Sequence, residues 1–126
     1  MSYPNELKYT KEHEWIKIDG KKASIGVTKF AIDQLGDVVF LELPKVGTNF
    51  NANDAFGTIE STKTVSELYA PATCKVVEIN TAIVDAPENL SQDAYQNGWL
   101  IKVEIDQVPS GLLSASEYEK YISEGV

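Results

Sequence analysis

The chain has 126 residues, 43% of them apolar, enough for one core of ordinary size. Nineteen acidic residues against eleven basic ones leave a net charge of −8, which opposes any broad contact with phosphate backbones or anionic lipid, so neither nucleic acid nor membrane is an expected partner. A single cysteine, Cys74, and a single histidine, His13, exclude an internal disulfide framework, a cysteine-based metal cluster and most zinc sites, and they favour a reducing compartment.

No run approaches the roughly 18 to 20 uninterrupted apolar residues of a membrane span, and Met1 to Glu6 lacks the basic and apolar regions of a signal peptide, so a soluble protein is expected. The first patterned segment, Glu14 to Ile18, alternates with period two; Asp19-Gly20 is a hairpin signal, and Lys22 to Val27 is the returning strand. Thr28 can cap a short helix over Lys29 to Leu35, with Gly36 suited to end it. Asp37 to Leu43 is expected to be a largely buried strand, stopped by Pro44.

Beyond the polar loop 51–54, Ala55 to Glu60 and Thr64 to Tyr69 read as two strands flanking the tight tip Ser61-Thr62-Lys63. Cys74 to Ile79 is the next strand, Asp85 to Asn97 an irregular stretch, and Trp99 to Ile105 a further strand. Ser114 and Glu117 form a capping-box pattern with Leu113 and Tyr118 as a hydrophobic staple, which predicts a helix over Ala115 to Glu124. At least six short strands spaced by turns predict a mostly β fold, and nothing divides residues 1–126 into more than one domain.

The chemistry centres on Lys63. At a hairpin tip its side chain stands clear of both strands, where a modifying enzyme can reach it, with Glu60 three residues before it. A free lysine amine, with a pKa near ~10.4, is mostly protonated, so an acylating enzyme must supply an activated acyl group and help deprotonate the nucleophile.

This stretch, Glu60-Ser61-Thr62-Lys63-Thr64, resembles the lipoylation site of the glycine cleavage H-protein family. Further blocks match in order: His13-Glu14-Trp15, Ile25 to Thr28, Leu35 to Phe40, Glu42-Leu43-Pro44, Tyr69-Ala70-Pro71, Val76 to Asn80, and Asn97 to Leu100. The resemblance implies two antiparallel sheets in a flattened barrel or sandwich of the lipoyl and biotinyl carrier type, with lipoate held covalently on Lys63 by a lipoate ligase or a lipoyl/octanoyl transferase.

It further implies a carrier without turnover of its own. The arm would take the aminomethyl group of glycine from the decarboxylase (P protein) to the aminomethyltransferase (T protein), and dihydrolipoyl dehydrogenase (L protein) would reoxidise its dithiol. Such a carrier works in the cytoplasm of a bacterium or the mitochondrial matrix of a eukaryote. In the family the loaded arm folds back into a cleft; Glu14 matches an acidic position near it, and Glu67 stands where a shorter acidic residue is usual. Cys74 replaces a common glycine and is expected to be a packed thiol, while Glu12 and Thr62 also depart from the usual residues.

Three rivals stand beside this reading. A biotin carrier typically flanks its lysine with methionines, whereas the flanks here are Thr62 and Thr64. A lipoate relay protein of the same fold is barely separable by sequence. A Schiff-base enzyme needs a lysine whose pKa is lowered by burial or nearby cations, and the charged neighbours here are the anions Glu60 and Glu67. His13, beside Glu12 and Glu14, has no partner nucleophile in view, so a structural or docking role is expected of it rather than catalysis.

Overall fold

The computed structural model describes residues 4–107, 109 and 111–124. Among these residues, nine strands form two antiparallel sheets. The larger, in the order β1-β2-β3-β9-β8-β5, comprises β1 (Lys8–Tyr9), β2 (Glu14–Asp19), β3 (Lys22–Val27), β5 (Asn49–Phe50), β8 (Cys74–Ile79) and β9 (Ile101–Ile105); the smaller, β4-β6-β7, comprises β4 (Val38–Glu42), β6 (Ala55–Ser61) and β7 (Val65–Tyr69). Three helices, α1 (Lys29–Leu35), α2 (Thr81–Asp85) and α3 (Ala115–Ser123), and a 3-10 turn over Pro87–Ser91 complete the architecture.

The apolar faces of the two sheets meet in the main core: Ile16 and Ile25 from the larger sheet pack in one cluster with Leu41, Ile59 and Leu68 from the smaller. A second cluster lies where α3 packs against β1, built from Leu7, Tyr9, Trp15, Ala115 and Tyr118. Its presence explains why Glu14, Trp15 and Ile16 are all buried, since β2 is covered on both faces at that end and its period-two pattern no longer separates wet from dry.

The predicted caps form. Thr28 accepts a hydrogen bond from the Ala31 amide at the start of α1, and the amide of Gly36, at φ 85°, closes the helix onto Ile32. At α3 both arms of the capping box are made: the Ser114 hydroxyl accepts from the Glu117 amide and the Glu117 carboxylate accepts from the Ser114 amide.

Some elements had no expectation attached, and some expectations need correction. The segment after Ile79 begins with a helix, because Asn80 caps α2 by accepting from the Ile83 amide, and its side-chain amide donates to the carbonyls of Asn97 and Trp99. The last strand begins at Ile101 rather than Trp99, and α3 ends at Ser123. The two-residue strands β1 and β5 are too short to carry a periodic signal. Most consequentially, β4 is not largely buried: a register shift between Val38 and Phe40 turns Val39 outward, and Val39 and Phe40 are 54% and 49% exposed.

Gly26 pairs with Trp15 across β2 and β3, and a β-carbon there would stand 2.6 Å from the indole ring. The indole cannot easily yield, because its N–H donates to the Ala94 carbonyl at 3.0 Å. Gly26→Ala is expected to destabilise the fold by about 1 to 3 kcal/mol through overpacking, lowering the melting temperature by several degrees; an unchanged thermal melt would contradict this packing.

Candidate functional site

The tip between β6 and β7 is organised by Ser61, which is buried beneath it. Its amide donates to the Thr64 carbonyl at 2.8 Å, and its hydroxyl oxygen accepts from the amides of both Lys63 and Thr64 at 3.1 Å. One serine thus satisfies the backbone of a turn that has no strand partner. The Thr62 amide donates to the Asp37 carbonyl at 3.1 Å, fastening the tip to the start of β4. Thr62, Lys63 and Thr64 are left exposed.

The Lys63 side chain lies over Gly36, its Cε 3.5 Å from where a β-carbon on that glycine would be. The lysine therefore rests at the C-terminal end of α1, and a cleft of about 260 Å³ lies between α1 and the open edge of β7, with Lys63 itself outside its lining. Val27, Phe30, Ala31, Leu35, Ile59 and Leu68 supply its apolar walls. Glu12, His13, Glu14 and Glu67 supply its polar lining together with Gln34 and Ser66. Lys63 precedes Ser66 by three residues, roughly 10 Å along an extended strand.

Glu14 is delivered to this cleft by a tight turn. The His13 amide donates to the Thr10 carbonyl at 3.1 Å, and His13 takes the left-handed conformation, φ 70°. Glu14 is 2% exposed, the one charged residue type among the buried polar groups of the described residues. Its carboxyl accepts from the Thr10 hydroxyl at 2.9 Å and from the Tyr69 amide at 3.2 Å, joining the turn to β7. Burial dominates over these bonds and pushes its pKa up to about 8, so the carboxyl is largely protonated at neutral pH.

Beside it, the His13 Nδ1 lies 2.8 Å from the Tyr118 hydroxyl, which is in turn 2.8 Å from the Thr28 hydroxyl. Burial lowers the histidine pKa, with the charge of Glu12 opposing, and the neutral ring leaves Nδ1 able to accept from Tyr118. This chain ties the cleft wall to the N-cap of α1 and to α3. His13 thus lines the cleft and is tied through Tyr118 to α3.

Of the residues singled out by sequence, Glu14 and Glu67 meet in the cleft, whereas Glu60 lies on β6 outside its lining. Glu67 is exposed and accepts from the Tyr69 hydroxyl at 3.0 Å. Sequence reasoning missed Phe30 and Gln34, which lie four residues apart on one face of α1, beside the buried pair Ile32 and Leu35. Cys74 is buried, with its thiol pushed up to about 11 by burial, which suits an inert packed thiol. A larger concavity, of about 660 Å³, lies around Ala52, Pro71 and Thr73, but no buried charged side chain lines it.

The raised pKa of Glu14 has a stability consequence. A carboxyl whose folded pKa exceeds its unfolded value favours folding in full below about pH 4.5, and that contribution is lost as pH rises through about 8. Glu14→Gln keeps the shape without the charge. It is expected to match wild type near pH 4 and to be more stable by a few kcal/mol above pH 8, at about 1.4 kcal/mol per pKa unit. Denaturant melts across that window check it; parallel curves for the two proteins would contradict it.

The geometry can be set beside known proteins. A sequence model of the family described as Glycine cleavage H-protein matches residues 7–125. A glycine cleavage system H protein from Herpetosiphon aurantiacus is 54% identical over 121 residues, covering 96% of this chain and 94% of that one. One from Staphylococcus haemolyticus is 48% identical over 126 residues, covering 98% and 100%. The crystal structure of a glycine cleavage system H protein from Mycobacterium marinum matches with a TM-score of 0.89 at 43% identity, over 98% of this chain and 100% of that one. In sequence from end to end and in the arrangement of its two sheets, the chain belongs to the glycine cleavage H-protein family.

Proposed function

We propose that residues 1–126 form one carrier domain that holds lipoate in amide linkage to Lys63 and conveys the aminomethyl group of glycine from the decarboxylase to the aminomethyltransferase, with dihydrolipoyl dehydrogenase restoring the disulfide. The observation that carries this reading is an exposed lysine whose stem lies against Gly36 at the C-terminal end of α1, the helix that also walls an apolar cleft lined by carboxyl groups.

The residues present fit such a group. Ser61 holds the turn that carries Lys63, and Thr62, Lys63 and Thr64 are all exposed on it. Amide formation removes the lysine's charge, which favours laying the arm along Val27, Phe30, Leu35 and Leu68. When bound, lipoate supplies a cyclic disulfide that can accept a one-carbon amine and be reoxidised.

The chain's own task is then protection. A carbon bonded to both sulfur and nitrogen loses its amine readily in water, and the apolar walls exclude water from it. An incoming ammonium is met by Glu14, with Glu67 and Glu12 at the mouth. A cation beside Glu14 opposes the effect of burial and draws its carboxyl back to the charged form, so binding the cargo releases a proton. The Thr10 and Tyr69 hydrogen bonds already orient that carboxyl, so little ordering remains at the moment of binding.

Two experiments test the reading. Treated with a lipoate ligase, ATP and lipoate, the chain is expected to gain one lipoyl group, found on Lys63 by peptide mass, and Lys63→Arg is expected to gain none; modification of another lysine would overturn the assignment. For protection, lipoylated wild type and Glu14→Ala are given the aminomethyl group by the decarboxylase, the glycine carboxylate leaving as carbon dioxide, then separated from it and followed for ammonia release. A charge-assisted hydrogen bond of about 1.5 to 3 kcal/mol corresponds to roughly tenfold or more in the docked population. Release is therefore expected to be slow from wild type and faster from Glu14→Ala; equal release from both and from a short lipoyl peptide would show that the cleft does not protect the cargo.

A further inference from the structure

The smaller sheet covers the core with one face and shows the other to solvent. On that open face Phe40, Glu60 and Val65 stand side by side in register, and the next row is Glu42, Thr58 and Glu67. Phe40 is 49% exposed and Val65 58%, and the register shift in β4 adds Val39 beside them. The tip carrying Lys63 begins directly beyond the pair Glu60 and Val65. Exposed apolar residues grouped in this way beside a reactive position ordinarily mark a contact surface.

We propose that Val39, Phe40 and Val65 are the surface on which the enzyme that acylates Lys63 docks, and that this enzyme presents an apolar contact rimmed by lysine or arginine. The proposal rests on the reading of Lys63 as the lipoylated residue. Reach selects this occupant. An enzyme forming the amide must bring its activated acyl carbon to the end of the lysine's own four-carbon stem, and so must contact the strands from which that stem rises. An enzyme acting on the far end of a finished arm has no such need.

Charge selects the rim. The strands β4, β6 and β7 contain no lysine or arginine, and the apolar residues are bordered by Glu60, which stands between Phe40 and Val65, and by Glu42 and Glu67 in the next row. A basic rim complements this border, whereas a second copy of the chain would set the same carboxylates against one another. Three apolar side chains are also too few for a stable dimer and suit a transient encounter. In the reaction the neutral amine attacks the acyl carbon of a lipoyl adenylate made from ATP; the C–N bond forms, the C–O bond to AMP breaks, and the amine proton passes to water.

The test compares rates of lipoylation of the whole apo chain by a lipoate ligase with ATP and lipoate, read by intact mass. The variants are Phe40→Ser with Val65→Thr, the conservative Phe40→Leu, and Val46→Thr with Val77→Thr as a control at exposed valines outside the three strands of the open sheet. The first is expected to lose about tenfold in kcat/KM, chiefly through KM, while the other two stay near wild type. Lys63→Arg is expected to inhibit lipoylation of wild type competitively, and to cease doing so when Phe40→Ser and Val65→Thr are added. Circular dichroism confirms that each variant is folded. Equal kcat/KM for the strip variant and wild type, or equal inhibition by both arginine variants, would overturn the docking surface while leaving Lys63 in its role. Absence of lipoylation at Lys63 in wild type would instead overturn the reading on which it rests.

Discussion

The cleft depends on a carboxyl group held out of water between two segments distant in sequence. Glu14 receives one hydrogen bond from Thr10, four residues before it, and one from the amide of Tyr69 on β7. That bridge ties the turn over residues 10–13 to the edge of β7 at the cleft. Burial of an acid is costly when the acid is charged, and the protein meets that cost by keeping the group protonated, with a pKa of about 8. Under the proposed function an ammonium cargo would reverse this balance, and the unfavourable burial of the empty state would become the basis of preference for a cation in the filled one.

The smaller sheet divides the remaining work by direction. Its inner face packs Leu41, Ile59 and Leu68 into the core; its edge, β7, forms one wall of the cleft; its end carries Lys63; and its outer face shows Phe40 and Val65. These four surfaces share one backbone, so the register of β6 against β4 and β7 sets the lysine, the cleft and the exposed strip together. Gly36 joins the set from α1. At φ 85° it takes a conformation that a side chain would strain, and it gives the Lys63 stem a flat place to lie.

Much of this could be read from the residues. The hairpin about Lys63, the caps at Thr28 and Ser114, and the strand from Cys74 to Ile79 each follow from local signals that tertiary packing did not override. Other features had no local signal. The burial of Trp15 and the exposure of Phe40 both run against the simple strand pattern, the first because α3 returns from the end of the chain to cover β2, the second because a register shift turns β4 on a sheet with one open face. The partnership of Glu14 with Tyr69 spans 55 residues, and resemblance to the family pointed to the acid without revealing that it is buried. Phe30 and Gln34 escaped notice since their face of α1 is defined only once β7 is opposite it.

In the proposed function the Glu14 carboxyl is neutral in the empty cleft and charged in the filled one. Carbon-13 NMR of the Glu14 side-chain carboxyl, titrated in the unmodified chain and again after lipoylation and loading, observes that group directly. The titration midpoint is expected near 8 in the unmodified chain, falling toward the ordinary carboxylate range when the cationic cargo is in place. A midpoint already in the ordinary range before loading, or one that loading leaves unmoved, would contradict the account.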